Sequence, residues 1–460
     1  MKKSIASFAS AIFLLFGGVT GNSAGLNSLG GGENARFDTS LVARLEKFNG
    51  AVVSRLSFLG LVRTKEQAAR WLMKTTEGQV FDSDQLARDI QALYNTGDLY
   101  DVQAQVDWSQ TQHGQIDVII TLKDKWTLLP FAGVQGGGGA LTYGGGLFDT
   151  NLFGYFINGM IQFYNYNGVF SYNVLAYQEY VKGTQTMAST SVSNNVNPTI
   201  IYNLDRSSAG NYAWDRQQEE IMVGTHLYGN GQLVRLFFTG DVYTDDMVSN
   251  VGVNAFTDNG VQYRFQPRAI FGRANIVEYL ENGTELTIHP SAANFFGPVA
   301  AYQGLDVNYK YVKILPHGAN FGFNIFAGSM SQAPPPYEYQ VGGYSNLRGY
   351  ANSRQTGPYI AVESIEYRPL IYKTRWSPLG IDLDWVVLQG CIFSDAGSAW
   401  GDATLTGDPG SQEFRPLWSA GAGVRLNFLH FAGAIMRLDF ARTINPDEGW
   451  GVSFGVGQFF

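Results

Sequence analysis

The first residues that invite a chemical reading are Gly451-Val-Ser453-Phe-Gly455, which have the Gly-x-Ser-x-Gly spacing of a hydrolase nucleophile on a strand-to-helix turn. Such a serine needs a histidine to take its proton and a carboxylate to orient that histidine. Neither a helix-forming stretch nor any Asp or His follows Ser453, so it reads as a strand residue. His113, His226, His289, His317 and His430 are scattered and nowhere show metal-ligand spacing. Gly136 to Gly139 lacks the Lys-Ser/Thr and the helix of a phosphate loop, and reads as a turn between strands. The chain is therefore expected not to be an enzyme and to use no metal or cofactor.

Charge is used sparingly. Charged residues make up 15% of the chain, against roughly 25% in an average soluble domain. The shortfall is filled by glycine (55 residues), aromatics (14%) and small polar residues, and the mean hydropathy is only -0.09. That balance suits a barrel whose lipid-facing and lumen-facing residues alternate, so that their hydropathies cancel. The net charge is -8 without a basic run, which argues against a nucleic-acid partner. Cys391 is the single cysteine, so no intrachain disulfide can form; lying in a predicted strand, it reads as a packing residue.

Several elements must position whatever charge there is. Residues 1–24 carry Lys2-Lys3, an apolar run and then small residues, the pattern of a secretory signal peptide, with cleavage after Gly21 or Ala24. Residues 25–49 form a linker, rich in Gly, Asn and Ser at its start. Residues 50–123 have a β-α-α-β-β pattern. A strand over Val52–Phe58 precedes a capping box, Thr64-x-x-Gln67, that opens a helix with Ala68, Trp71 and Leu72 on one face. A second helix starts at Asp82 or Ser83, repeats Leu86, Ile90, Leu93 and Tyr94, and stops at Gly97. Strands Asp101–Trp108 and Gln115–Leu122 follow, the first with Val102, Ala104, Val106 and Trp108 on the face the helices cover.

From Trp126 to Phe460 the period is two. Val234, Leu236 and Phe238 alternate with Arg235, Phe237 and Thr239; Val424, Leu426 and Phe428 with Arg425 and Asn427; Met436, Leu438 and Phe440 with Arg437 and Asp439. A soluble sandwich would bury the apolar face against a second sheet. Several segments instead reach the ten or so residues of a tilted spanning strand, and turn spacing gives about 16 strands, with one or two drawable over 180–215. The fold class is thus mainly β: a transmembrane antiparallel barrel over 126–460 behind one small α+β domain.

Six short motifs, in order, resemble the outer-membrane POTRA-plus-barrel superfamily of BamA/TamA and two-partner-secretion type, the bacterial surface antigen family. Tyr94-Asn-Thr-Gly97-Asp-Leu-Tyr100-Asp-Val resembles the end of a POTRA domain, and Phe148-Asp-Thr-Asn151-Leu-Phe-Gly154 resembles the second barrel strand. Gly343-Tyr-Ser-Asn-Leu-Arg348-Gly349-Tyr350 resembles the tip of the family's long sixth external loop. Glu366-Tyr-Arg368-Pro and Phe393-Ser-Asp395-Ala-Gly397 resemble the two strand motifs after it, and Gly457-Gln458-Phe459-Phe460 the C-terminal insertion signal. The chain departs from the pattern in having a single POTRA domain and in Leu347, where Val is commoner.

The resemblance implies that Arg348 folds back into the lumen and pairs with Asp395, with Glu366 nearby, since a lone desolvated guanidinium is costly. Parity places Glu366 and Arg368 on the face of Ser364, and Asp395 on that of Phe393 and Gly397. Pro130 and Gly133 in the first barrel strand, with Gly455 and Gly457 in the last, mark either a poorly zipped seam or sites of barrel curvature. The implied location is the bacterial outer membrane, with the POTRA domain in the periplasm. The implied task is insertion or translocation of client proteins, such as unfolded outer-membrane or secreted proteins, through that seam. The alternative is a self-associating, homo-oligomeric barrel that organises outer-membrane lipid. A passive pore fits less well, because the folded-back loop would plug it.

Overall fold

The computed structural model describes residues 43–460 apart from short segments, the longest of them 402–412. The predicted signal peptide and most of the linker lie outside the described residues.

Three strands, β1 (Val52–Leu59), β2 (Leu99–Trp108) and β3 (Gln115–Asp124), form a sheet in the order β1-β3-β2, with β1 parallel and β2 antiparallel to the centre. Helices α1 (Glu66–Trp71) and α2 (Ser83–Asn95) make the crossover. Asp82 caps α2 by accepting from the Asp84 amide, and Gly97, at φ +79°, follows its end. The periodic apolar face of α2, Leu86, Ile90, Leu93 and Tyr94, is buried on Ile116, Val118, Ile120 and Leu122 of β3. Two local expectations fail. Lys65, not Thr64, precedes α1, and no side chain caps it. The Thr64 hydroxyl bonds the Asp124 carboxylate instead, because a charge-assisted bond outweighs a neutral cap. Trp108, at the end of β2, is 54% exposed and meets Phe48 edge-on instead of the helices.

The remaining strands build the wall. They begin with β4 (Leu128–Gly137), β5 (Ala140–Leu152), β6 (Ile157–Tyr166), β7 (Val169–Gln178), β8 (Thr186–Tyr202) and β9 (Ser208–Gly229). Next come β10 (Gln232–Val251), β11 (Gln262–Val277), β12 (Leu280–Ala293), β13 (Tyr302–Leu315) and β14 (Ala319–Ser331). A small hairpin, β15 (Tyr339–Val341) with β16 (Gln355–Gly357), lies in the connection to β17 (Tyr359–Arg368) and β18 (Leu370–Arg375). β19 (Trp385–Trp400), β20 (Leu417–Phe428), β21 (Ile435–Asn445) and β22 (Trp450–Val456) complete the circuit, and β22 neighbours β4 to close the barrel. β17 and β18 both pair with β19 and are one stave interrupted at Pro369, which lacks the amide a ladder needs. With those two counted as one stave, the 17 strands in the closed order occupy 16 positions.

The wall is inside out relative to a soluble protein. On β10, Phe238 and Val242 are 53% and 44% exposed, while the alternate residues Arg235, Asp241 and Asp245 are 3%, 3% and 2% exposed. Water would not favour an apolar exterior around an enclosed polar face; a bilayer does. The barrel is a transmembrane one, and no helix among the described residues is long and apolar enough to cross a membrane.

The small domain is docked against the turns at one barrel mouth. The Lys65 amide donates to Gly154 O (3.0 Å), Asn151 Nδ2 donates to Thr64 Oγ1 (2.6 Å), and Arg63 pairs with Asp149. Trp71 stacks on Tyr155 at 5.7 Å. Gly183, at φ +74°, lets the turn after β7 approach α1: a Cβ there would lie 2.6 Å from that of Trp71. Asp98 and Lys125 are buried in this junction, and the Thr150 hydroxyl donates to Asp98. Burial pushes the Asp98 carboxyl up to about 7, with the Thr150 bond and Lys125 opposing, and brings the Lys125 amine down to about 8.

Candidate functional site

At the mouth opposite that junction, the connection between β14 and β17 turns back into the lumen. Val341, Leu347 and Tyr350 pack on Ile360 and Val362 of β17 and on Ala399 and Leu417, giving the loop an apolar footing on the inner wall. Gly349 adopts φ +95°, a left-handed conformation that favours glycine. The Tyr350 hydroxyl donates toward the Trp418 and Asn445 carbonyls, at 2.8 and 2.7 Å.

This footing delivers Arg348 to the carboxylates. Its Nε and Nη2 donate to the two oxygens of Asp395 (2.7 and 2.8 Å), and Nη1 donates to Glu366 Oε1 (2.6 Å) and Asp439 Oδ2 (3.3 Å). The guanidinium carbon lies 3.5 Å from the centre of the Phe393 ring. Strand register explains the convergence: Ser364 stands opposite Asp395 and Glu366 opposite Phe393, so both carboxylates share the lumenal face. Arg425 joins them, donating from Nη1 to Asp439 Oδ1 (2.5 Å) and from Nη2 to Glu366 Oε1 (3.1 Å). Every side chain in this set is 0% exposed. Gly397 leaves room for β17, since a Cβ there would lie 2.8 Å from Ala361 O.

The structure thus brings Arg348, Gly349, Tyr350, Glu366, Asp395 and Gly397 into one region. Asp439 and Arg425 are additions the sequence had placed on polar strand faces without linking them to the loop. A second attachment was not foreseen. The Tyr337 hydroxyl donates to Asp245 and that of Tyr339 to Asp306, on β10 and β13, to the β14 side of the loop. Asp245 also holds Arg216 (2.8 Å), whose guanidinium lies 4.1 Å from the Tyr243 ring centre. Tyr337 and Tyr339 follow a proline run that signals only a turn.

The seam residues are distributed less simply. Pro130 and Gly133 lie in β4, opposite Leu147 and Gly144 of β5. Gly455 lies in β22 opposite Arg437, while Gly457, Gln458 and Phe459 lie outside the described residues. Phe460 is found against the far wall, its ring 5.6 Å from the Arg368 guanidinium. Ser453 is a mid-strand residue of β22 opposite Asp439, and among the described residues no His, Cys, Asp and Glu side chains gather as a metal set would.

These features define a class, an outer-membrane-type barrel with a folded-back loop and one docked α+β domain, and the comparisons agree. Residues 51–125 match the POTRA family, described as a surface antigen variable number repeat, and residues 292–460 match the Omp85 superfamily domain. By these matches the chain carries a POTRA domain followed by an Omp85 superfamily domain. Its fold is similar to that of CdiB from Escherichia coli (TM-score 0.62, 13% identity, 88% of this chain and 76% of that one). It is also similar to BamA from Haemophilus ducreyi lacking POTRA domains 1-3 (TM-score 0.53, 15% identity, 88% and 83%). CdiB from Acinetobacter baumannii gives a TM-score of 0.56 at 12% identity, over 88% and 73% of the two chains. No curated protein matches the chain significantly in sequence.

Proposed function

We propose that this protein sits in the bacterial outer membrane with its POTRA domain in the periplasm, and that it inserts or translocates client proteins through the seam between β4 and β22. The observation that carries this reading is the makeup of the seam's first strand. β4 spans 10 residues where β9 and β10 span 22 and 20. On its β5 side, Gly133 pairs in register with Gly144, Ala132 with Gly145 and Phe131 with Gly146, so glycine offers no cross-strand side-chain partner there. Pro130 gives β4 no amide at that position. The match of residues 292–460 to the Omp85 superfamily domain supports the protein-handling part of the reading, and the loop folded into the lumen favours a lateral path over a straight pore.

The POTRA sheet supplies a receiving edge. The free side of β1 is taken by residues 78–81, through Val53 N to Gln79 O (2.9 Å) and Phe81 N to Ala51 O (2.8 Å). β2 is the other outer strand, and an extended client segment can add to it by backbone pairing. Deleting residues 50–123 is expected to leave a folded, heat-modifiable barrel, because the barrel's ladder is closed without them. In proteoliposomes that barrel should no longer speed the insertion of a urea-unfolded β-barrel protein. Full insertion by the deleted protein would remove the receiving role.

A further inference from the structure

Arg368 is 0% exposed, yet its Nε, Nη1 and Nη2 make no hydrogen bond among the described residues. Its nearest carboxylates are Glu366 Oε2 at 3.1 Å and Glu281 Oε2 at 3.9 Å, ion-pair distances without hydrogen-bond alignment. A buried guanidinium held this loosely needs some other partner. The ring of Phe460 lies over it at 5.6 Å. Gly322 of β14 makes the space: a Cβ there would lie 2.8 Å from ring atoms of Phe460 and 2.7 Å from Arg368 Nη2. Gly322 stands opposite Glu366, and Asn320 opposite Arg368, so the ring is inside the lumen rather than on the lipid face. β19, β20 and β21 separate this wall from β22 in the closed order.

We infer that Gly322 and Arg368 form an internal binding site for an aromatic ring, filled by the chain's own Phe460, and that this seat and the Arg348 lock act together through Glu366. Oε1 of Glu366 accepts from Arg348 and Arg425 while Oε2 faces Arg368, so one carboxylate serves both. The seated ring keeps water from Arg368 and Glu366, and ionic hydrogen bonds are stronger in dry surroundings. When Phe460 leaves, water reaches Glu366 and the pull on Arg348 weakens. The two sites also touch through the last strand, since a Cβ at Gly451 of β22 would lie 2.7 Å from Gly349 Cα at the loop tip. The inference rests on the seam reading for its purpose but not for its geometry.

The test uses full-length protein refolded in detergent. Phe460→Trp, which keeps an aromatic ring at 460, should add an emission component shielded from acrylamide, and Gly322→Val in that protein should open it to the quencher. Phe460→Ala, with Gly322→Val as a second route to an empty seat, should make the loop over 337–357 cleave roughly fivefold faster, and Phe460→Trp should restore the slow rate. Equal, free quenching of that component with and without Gly322→Val would overturn the seat. A shielded component with unchanged loop cleavage in both Phe460→Ala and Gly322→Val would overturn the coupling. Client insertion is measured separately, so its loss or survival bears on the seam reading alone.

Discussion

The wall that receives the loop and the wall where the barrel closes are built from the same kind of strand and hold together differently. Around β17, β19, β20 and β21, Arg348 and Arg425 are tied to three buried carboxylates by hydrogen bonds of 2.5–3.3 Å. In β4, the first strand of the seam, Gly133 faces Gly144 of the neighbouring β5, and Pro130 has no amide to give. Polar groups enclosed in a lumen must find partners, so charge concentrates where a loop has to be held. On the proposed reading the junction that parts is that of β4 with β22, and β4 brings no charged residue to it. The contrast teaches that stiffness here is assigned strand by strand.

Breaking the stiff side should have the largest effect. Arg348→Ala leaves Glu366 and Asp439 with Arg425 and leaves Asp395 without its guanidinium, and Asp395→Ala strips Arg348 of its bidentate partner. Each is expected to destabilise the seated loop by about 3–5 kcal/mol, the usual cost of orphaning one member of a buried ion pair. Limited proteolysis between Ser331 and Thr356 in intact membranes reads this directly. The barrel's own heat-modifiability should hardly change, because its backbone ladder is untouched. Wild-type cleavage in both variants would mean the loop stands on its apolar footing alone.

How much of this contrast was legible in the sequence depends on whether a contact lies within a strand's pattern or between distant strands. Alternation placed Glu366, Asp395, Arg425 and Asp439 on polar faces, since period two is a local property. It did not tell which strands would face one loop, so Asp439 and Arg425 went unassigned, and the Tyr337 and Tyr339 anchors left no periodic trace. Motif order supplied Arg348 and its partners. Thr64 misled because its capping-box spacing is real, and only the docked barrel turn shows that Asp124 and Asn151 compete for it.

A smaller effect is expected at the POTRA junction, and it sharpens the comparison by testing a third kind of contact. The Asp98 carboxyl, raised to about 7 by burial, keeps its proton in the docked state where an unfolded chain would have lost it. Between about pH 4 and 7 the docked state therefore holds more protons, and this group's contribution to docking declines as pH rises through about 7. Hydrogen exchange over residues 62–65 and 149–156 should show stronger protection at the acidic end of that window. Asp98→Asn, which keeps an acceptor for Thr150, should flatten the trend. A trend of the same slope in the variant would assign the pH response to other groups.

The central claim is that the seam parts while the lock wall does not. Cysteines placed near Pro130 and near Gly457, after replacement of Cys391, should cross-link readily, with bond formation confirmed by mass spectrometry. The cross-linked protein should remain heat-modifiable and lose client insertion, whereas a cross-link between β19 and β20, at Ala396 and Trp418, should leave insertion intact. Client insertion at the wild-type rate with the seam closed would contradict lateral opening as the mechanism.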